Sequence, residues 1–379
     1  MAAMRTADPQ SPASVGLADE TPLLDVPCLI CGSAGADIVA SAADIEAERR
    51  FLQKFHHDRK RDDRGAELAD RADFTQDYST RIVQCSSCGF VFRSPRPPAS
   101  AVMGAYVTDR YTDAHLQSEF LSQRQWAEKK AGIVARWMRF SNAPVVVEVG
   151  SFVGGFLYAG RRRGWSMLGV DPGKEVTEFC RAQGLPVYRG TLAEAPIAAG
   201  SVDAVVIWNT FDQLPNPDTT LAAARKVMRK EGVLIIRVPN GLMYQQGARV
   251  LARRGLLRKW MITTLAWNNL LGFPYLHGYS VSTADQLLGR HGFRRLMVYR
   301  DTLVRLSDSH TKPWARAEEQ LIKWCCRCIG AAEARWNTNR ATLTPWLDLY
   351  YGLGEVIPST PVSVARYPWI RQCVSTLAG

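Results

Sequence analysis

The chain has 379 residues, of which 46% are apolar and 22% are charged. This length suits two or three domains, and the composition excludes a wholly disordered, collagen-like or coiled-coil chain. Lys and Arg total 47 against 36 Asp and Glu, a net charge of +11 that permits acidic partners without requiring any. The sequence has no run of ~18 apolar residues, so no transmembrane segment is predicted.

Residues 1–24 are rich in Ala, Ser, Pro and Asp, which predicts a disordered tail. This stretch has no continuous apolar core of the kind that a secretion signal requires. Nine cysteines in a chain without such a signal favour a reducing compartment, and we expect a cytoplasmic protein.

Residues 25–100 carry two C-x-x-C-G knuckles, formed by Cys28, Cys31, Cys85 and Cys88. A gap of two residues lets both thiolates of a knuckle face one tetrahedral Zn²⁺, and the following glycine permits the tight turn. Four cysteines leave no open position on the metal, so the predicted zinc is structural and not catalytic. Four buried free thiols are the alternative.

Two helical stretches surround the second knuckle. The insertion between the knuckles is dense in charge of both signs, which predicts a solvated helix, with a nucleic-acid contact as the alternative. The region 101–143 is rich in aromatic residues and predicts a helical linker.

From residue 144 the pattern changes to alternating strands and helices, which predicts a doubly wound parallel sheet over 144–300. A β-branched run ends at Glu148 and Gly150, and a glycine-containing turn and a helix follow. Asp171 ends the next strand 21 residues after Gly150, where a carboxylate can accept both hydroxyls of a ribose.

These motifs resemble those of class I S-adenosylmethionine-dependent methyltransferases. The loop E-V-G-S-F-V-G at 148–154 is similar to the family's E/D-x-G-x-G-x-G motif, although Phe152 replaces the middle glycine. An acid–His pair that many relatives have after the fourth strand is Asp212-Gln213 here. The resemblance implies S-adenosylmethionine as cofactor, bound by Glu148, Gly150, Ser151, Phe152, Gly154, Asp171, Pro172, Thr191, Leu192 and Asn209.

The two knuckles together with this core resemble a subgroup that includes C-methyltransferases of nucleotide-linked deoxysugars. Those enzymes carry a further C-terminal α/β domain, for which residues 301–379 are too short. We expect a helical C-terminal appendage there, whose tryptophans either pack on the core or form a homodimer interface. The sugar substrate is therefore not carried over from the resemblance.

Methyl transfer to a hydroxyl or a carbon acid needs a base, and His277 is the predicted catalytic residue. A plain packing role is the alternative for His277, and Asp212, Gln213 and Tyr279 are weaker candidates. Residues 241–276 form a basic amphipathic insertion, predicted to be a lid that holds an anionic substrate. A packed helix with a solvated basic face, or contact with a membrane surface, would give the same pattern.

The sequence thus predicts an α/β methyltransferase with a Rossmann-like core, a zinc-ribbon-like N-terminal segment and a helical appendage. The predicted acceptor is a small molecule, a natural product or activated sugar that is methylated on oxygen or carbon. A nucleic-acid or protein methyltransferase is one alternative, although no motif for flipped bases accompanies the core and nucleic acid is not the expected partner. A scaffold that kept the fold and lost the chemistry is the other.

Overall fold

The fold was analysed in a computed structural model, which describes residues 21–353 apart from 62–77, 109–110, 139–140, 252–254, 274, 308–309 and 338–340. Most of the predicted tail, part of the charged insertion and the end of the predicted appendage lie outside the described residues. No helix among those described is long and apolar enough to cross a membrane.

Among its described residues, the N-terminal part of the chain forms three short strands and three α-helices. In chain order they are β1 Ala36–Ala40, α1 Ala42–Arg59, β2 Arg81–Cys85, β3 Val91–Ser94, α2 Ala99–Thr108 and α3 Asp113–Val134. Helix α1 begins at a capping box, in which Ser41 accepts the N–H of Asp44 and Asp44 accepts that of Ser41.

The central part alternates strands and helices, as the sequence predicts. Its elements are β4 Val145–Val149, α4 Gly155–Arg162, β5 Ser166–Asp171, α5 Lys174–Ala182, β6 Val187–Arg189, β7 Val202–Trp208, α6 Pro217–Val227 and β8 Met228–Pro239. The remaining elements are α7 Gly241–Leu251, α8 Leu256–Trp267, β9 His277–Gly278, α9 Val281–Arg290, β10 Phe293–Asp301, α10 Pro313–Trp336 and β11 Trp346–Leu353.

Seven strands form the main sheet in the order β6-β5-β4-β7-β8-β11-β10. Strands β4 to β8 pair in parallel, whereas β11 is antiparallel to both of its neighbours. The order reverses between β4 and β7, where open α/β sheets bind ligands at the carboxyl ends of their strands. This mixed sheet with helices on its faces confirms the predicted class I methyltransferase fold.

The region after residue 300 differs from the helical appendage expected there. It contributes the long helix α10, and the chain then returns to the main sheet as β11, which inserts between β8 and β10. Leu347, Leu349 and Tyr351 of this strand are buried in the central hydrophobic cluster. Trp346 is buried at its start, whereas Trp314 and Trp336 on α10 are 52% and 90% exposed. The homodimer stays a prediction.

A second, four-stranded sheet has the order β1-β2-β3-β9; one cysteine knuckle lies in the turn between β2 and β3, and the other precedes β1. The last strand of this sheet comes from the central part of the chain, and Phe92 pairs with His277. The backbones meet closely here, because a Cβ on Gly278 would lie 3.1 Å from the carbonyl oxygen of Val91 in β3. The N-terminal segment is therefore built onto the core and shares one hydrophobic cluster with it.

The insertion helices α7 and α8 pack against this N-terminal segment and α10. Asn269 and Tyr275, which follow α8 in the same insertion, line the main cavity, so the lid stays a prediction. Phe55 of α1 meets Trp267 of α8 edge-on, with ring centroids 5.2 Å apart. Arg59 of α1 forms an ion pair with Glu318 of α10 at 2.7 Å. Helix α1 is thus partly buried, and its apolar face fixes the insertion in place.

Glu48 of α1 gives this interface a dependence on pH. Its Oε2 accepts hydrogen bonds from the N–H of Gly272 at 2.6 Å and the hydroxyl of Tyr244 at 3.3 Å. Burial raises the pKa of Glu48 to about 7, against the effect of these hydrogen bonds. The folded protein therefore holds a proton that the unfolded chain releases near pH 4.5, and this contribution to stability is lost as the pH rises through 7.

We expect Glu48→Gln to remove this dependence while keeping the size of the side chain. The free energy of unfolding of wild type minus that of the variant should fall by up to about 3 kcal/mol between pH 5 and pH 8. Urea unfolding of both proteins at each pH measures the difference, and Glu46→Gln on the exposed side of α1 is the matched control. A difference that is the same at both pH values would contradict the assignment.

Candidate active site

Glycine determines the path of the loop after β4. Gly150 has a φ of +70° and Gly154, which precedes α4, has a φ of +75°. A Cβ on Gly150 would lie 2.3 Å from Thr210 Oγ1, and a Cβ on Gly154 would lie 2.6 Å from Leu185 Cδ1. Both positions of the predicted cofactor loop therefore require glycine for conformation and for space.

Phe152, which replaces the middle glycine, takes the same left-handed backbone that a glycine would, with a φ of +45°. Its N–H donates to Asp171 Oδ2 at 2.9 Å, and its ring meets that of Tyr111 edge-on at 5.3 Å. A non-glycine residue in this region costs about 1–2 kcal/mol, which these contacts offset. The loop keeps the path of a glycine loop in spite of the substitution.

We expect Phe152→Gly to change the affinity for S-adenosylhomocysteine by less than about fivefold, or about 1 kcal/mol. Relief of the backbone strain is opposed by the lost ring contact and by the greater freedom of a glycine in the loop before the ligand binds. Calorimetric titration of both proteins measures the change. A gain of more than about tenfold in the variant would mean that Phe152 obstructs the loop.

Two buried carboxylates lie beside this loop. Glu148 is 4% exposed and Asp171 is 9% exposed. Burial, and then the neighbouring charge of Asp171, raises the pKa of Glu148 well above its ordinary value. Burial also raises the pKa of Asp171, although the N–H groups of Gly173 and Phe152 oppose this. Such a pair favours a ligand that brings hydroxyl donors and positive charge.

Three buried oxygen atoms around the loop have no hydrogen-bond partner within the described part of the chain. They are Glu148 Oε2, Ser151 Oγ and Asn209 Oδ1. A buried polar atom without a partner is costly, so this end of the site fits a ligand with several donors. The ribose hydroxyls and the ammonium group of S-adenosylmethionine are such donors, and the positive charge of its sulfonium suits the two neighbouring carboxylates.

The loop opens into a cavity of about 1970 Å³ at the carboxyl ends of the parallel strands. Its lining brings together nine of the residues predicted to bind the cofactor: Glu148, Gly150, Ser151, Phe152, Asp171, Pro172, Thr191, Leu192 and Asn209. Gly154 is not part of the lining, because it lies under the loop against Leu185. We call this half of the cavity the donor end.

The other half of the cavity was not predicted from the sequence. It is lined by α3, the segment 299–307 and α10, and Trp126 of α3 meets Trp208 of β7 edge-on at 5.4 Å. Polar and aromatic residues at spacings of three and four along α3 were the available signal. The sequence predicts only a helical linker here, because no local pattern shows which face of the helix lines a cavity.

A buried ionic network supports this second half. Arg237 of β8 is fully buried and pairs with Asp348 at 2.5 Å and Asp301 at 3.1 Å, and Lys130 of α3 pairs with the same two carboxylates. Burial alone would raise the pKa of Asp301, but Lys130 and Arg237 hold it below its ordinary value. The network fixes α3 to the ends of β8, β10 and β11.

The structure places His277 away from the cavity lining. It is 1% exposed in the small N-terminal sheet, and its ring stacks on Phe90 at 5.9 Å. Burial, and then the charge of Arg96, lowers the pKa of His277 well below its ordinary value. Asp212 and Gln213 of the loop after β7 do line the cavity, whereas Tyr279 is fully buried beside His277.

The four knuckle cysteines converge as the spacing predicts. Their Sγ atoms all lie within 4.8 Å of one another, and Cys28–Cys88 and Cys31–Cys85 are each 3.5 Å apart. Gly32 and Gly89 have φ values of +73° and +76° and donate to the carbonyl oxygens of Cys28 and Cys85. Four sulfur atoms at such separations can surround one tetrahedral metal ion.

Residues 147–236 match the family model of a methyltransferase domain. No curated protein matches the chain. Solved structures with a similar fold include S-adenosylmethionine-dependent methyltransferases from three organisms. That from Archaeoglobus fulgidus has 15% identity and a TM-score of 0.39, with 62% of this chain and 97% of the other covered.

The enzyme from Thermotoga maritima has 16% identity and a TM-score of 0.38, with 63% of this chain and 91% of the other covered. That from Mesorhizobium loti has 15% identity and a TM-score of 0.35, with 55% and 91% covered. Likenesses at this level say nothing about the acceptor.

The domain match and the fold define the class of protein. Residues 147–236 form a methyltransferase domain, and the chain that contains it is a methyltransferase.

Proposed function

We propose that the protein transfers the methyl group of S-adenosylmethionine to an oxygen or carbon atom of a small-molecule acceptor. The size of the cavity carries this proposal. A pocket for one drug-sized ligand has about 300–1,000 Å³, whereas this cavity has about 1970 Å³ and extends well beyond the predicted cofactor residues. It has room for a cofactor and an acceptor side by side.

The donor end would hold the cofactor through the side chains already described. Asp171 would accept the ribose hydroxyls, and Glu148 and Asn209 would provide the buried acceptors for the amino-acid part. Thr191 and Leu192, in the loop after β6, would line the adenine. When bound, the cofactor supplies an electrophilic methyl group, and the protein aligns the acceptor and excludes water.

We propose Asp212 as the base for an acceptor whose nucleophile carries a proton. Asp212 belongs to the cavity lining in the same loop as Asn209, and both of its carboxylate oxygens are buried from solvent. The neighbouring Gln213 is held by the hydroxyl of Tyr106 at 2.7 Å and donates to the carbonyl oxygen of Asn209 at 2.9 Å. This loop would position a nucleophile at the donor end while Asp212 takes its proton.

The predicted role of His277 as base can be tested against this proposal. We expect Asp212→Asn to lower kcat about 100-fold with unchanged affinity for S-adenosylhomocysteine, because only proton transfer is removed. His277→Gln should change kcat by less than about fivefold. Single-turnover assays with labelled donor measure both, and the opposite order of effects would return the role to His277.

The acceptor class is tested by incubating the protein with methyl-labelled S-adenosylmethionine and separate small-molecule, RNA and protein fractions of a cell extract. Label in the small-molecule fraction, lost with Asp212→Asn, supports the proposal. Label in RNA or protein would establish the first alternative function. Binding of S-adenosylhomocysteine without transfer to any fraction would favour the scaffold.

We further propose that Cys28, Cys31, Cys85 and Cys88 bind one structural Zn²⁺. The converging sulfur atoms and the left-handed glycines of both knuckles support it. Four thiolates leave the metal no open position, so it would stabilise the N-terminal sheet and take no part in methyl transfer. Such thiolates must stay reduced, which fits the predicted cytoplasmic location.

A further inference from the structure

The charges that line the cavity are separated between its two halves. The donor end contains the acids Glu148, Asp171, Glu175 and Asp212, and no Lys or Arg among the described lining residues. The second half contains the cations Lys129, Lys130, Arg136, Arg300, Arg305, Lys323 and Arg327 against the acids Glu119, Asp301 and Glu319. The acidic donor end suits a cationic cofactor. The excess of positive charge in the second half suits a different ligand, one with negative charge.

Part of this positive charge is neutralised within the protein. Lys130 pairs with Asp301, Lys323 pairs with Glu319, and Arg300 lies 3.7 Å from Glu333. The other four cations have no carboxylate within ion-pair distance in the ranges that the structure describes: Lys129, Arg136, Arg305 and Arg327. We call these four residues together with Lys323 the basic end.

The centre of the basic end is rigid. Lys323 and Arg327 lie one turn apart on α10, and Arg327 donates to Thr302 Oγ1 at 3.1 Å. Lys323 donates to the carbonyl oxygen of Val304 at 2.6 Å and to Glu319, two of the three hydrogen bonds that an ammonium group can make. Lys323 is only 4% exposed and yet lines the cavity, so its charge faces little bulk water.

The basic end is joined to the donor end by a short series of contacts. Arg327 contacts Thr302, which follows Asp301, and Asp301 pairs with Lys130 at 2.8 Å. The Lys130 ammonium in turn lies 5.9 Å from the ring centroid of Trp208, at the end of β7. The loop after β7 and Arg327 therefore belong to one continuous wall of the same cavity.

We propose that the basic end binds an anionic group, a carboxylate or a phosphate, of the methyl acceptor. Arg327 is its main ligand and Lys323 the second, while the exposed Lys129, Arg136 and Arg305 attract the acceptor to the mouth. This inference rests on the proposed function, because it assigns the second half of the cavity to the acceptor. It replaces the basic insertion helices, which pack elsewhere, as the site for an anionic substrate.

The test uses calorimetric titration with three anions, inorganic phosphate, pyrophosphate and succinate, at low salt. Each titration is run on the full chain with and without saturating S-adenosylhomocysteine. We expect at least one anion to bind, with its affinity lowered at least about tenfold by Arg327→Gln and less than about threefold by Arg327→Lys. Preference for the phosphates or for succinate then identifies the chemical source of the charge.

Arg249→Gln is the matched control, because Arg249 is exposed on α7 and is not part of the lining. It removes the same charge from a protein of net charge +11 and should leave anion binding unchanged. Equal losses in both Gln variants would reduce the effect to overall charge and overturn the proposal, as would no anion binding by folded protein. S-adenosylhomocysteine binding is read separately, so failure of the cofactor site remains distinguishable.

Discussion

Asp171→Ala is expected to weaken the binding of S-adenosylhomocysteine about 1,000-fold. The carboxylate is placed to accept two ribose hydroxyls, and each hydrogen bond to a charged group contributes about 1.5–3 kcal/mol. Asp171 also holds the loop, since Oδ2 accepts the N–H of Phe152 at 2.9 Å and Oδ1 accepts that of Gly173 at 3.0 Å. Its removal therefore affects the ligand contacts and the path of the loop together.

Calorimetric titration measures this loss. The affinity of Asp171→Asn for S-adenosylhomocysteine should lie between those of Asp171→Ala and wild type, because the amide keeps one acceptor oxygen. Asp218→Ala is the matched control, since Asp218 starts α6, pairs with His291 at 2.7 Å and does not line the cavity. Thermal melts establish that each variant is folded. An affinity for Asp171→Ala within about threefold of wild type would remove Asp171 from the cofactor site.

Cys85→Ser is expected to abolish metal binding and to lower the melting temperature by more than about 10 °C. Cys85 ends β2, is 1% exposed and belongs to the hydrophobic cluster that the N-terminal sheet shares with the core. Structural zinc contributes about 10–16 kcal/mol in small zinc domains. In a chain of 379 residues each kcal/mol lost lowers the melting temperature by about 1.3 °C, so a loss of about 8 kcal/mol or more gives the expected shift.

Elemental analysis of the purified protein gives the metal content, which should be one zinc per chain in wild type and none in the variant. Cys325→Ser on α10 is the control for the loss of a thiol outside the cluster. We expect it to keep the zinc and to melt within about 2 °C of wild type. If the wild-type protein is purified without zinc and melts at the same temperature as Cys85→Ser, the zinc site is contradicted. The four cysteines would then be free thiols with a packing role.

The parts of the structure that follow from short-range sequence patterns could be predicted. The knuckles and the loop 148–154 depend on residues only a few positions apart, and glycines at left-handed positions leave a direct mark on the sequence. Asp171 was found because strand and helix lengths in this fold vary little. Phe152 is the exception, since its left-handed backbone shows only in the structure.

The parts of the structure that depend on pairing between distant segments could not be predicted from the sequence. Strand β11 contains residues that favour β-strands. Only its pairing with β8, where Trp346 lies opposite Pro239, and with β10, where Trp346 lies opposite Asp301, shows that it completes the main sheet. The sequence predicts His277 as the base because a histidine beside a helix start suits a cleft. The two-residue strand that places it outside the cavity lining has no sequence signal. The basic end combines residues of α3 and the turn after it, of the segment 299–307 and of α10, which no spacing in the sequence relates to one another.

The pairing of β3 with β9 has a consequence for how the protein must fold during synthesis. His277 lies 181 residues beyond Arg96, so the partner of β3 leaves the ribosome about 10–40 s after the knuckles do. Until then β3 presents an open edge that other chains can pair with. A fragment that ends near residue 100 lacks β9, so the edge of β3 would stay unpaired. The N-terminal sheet is therefore complete only within the full chain.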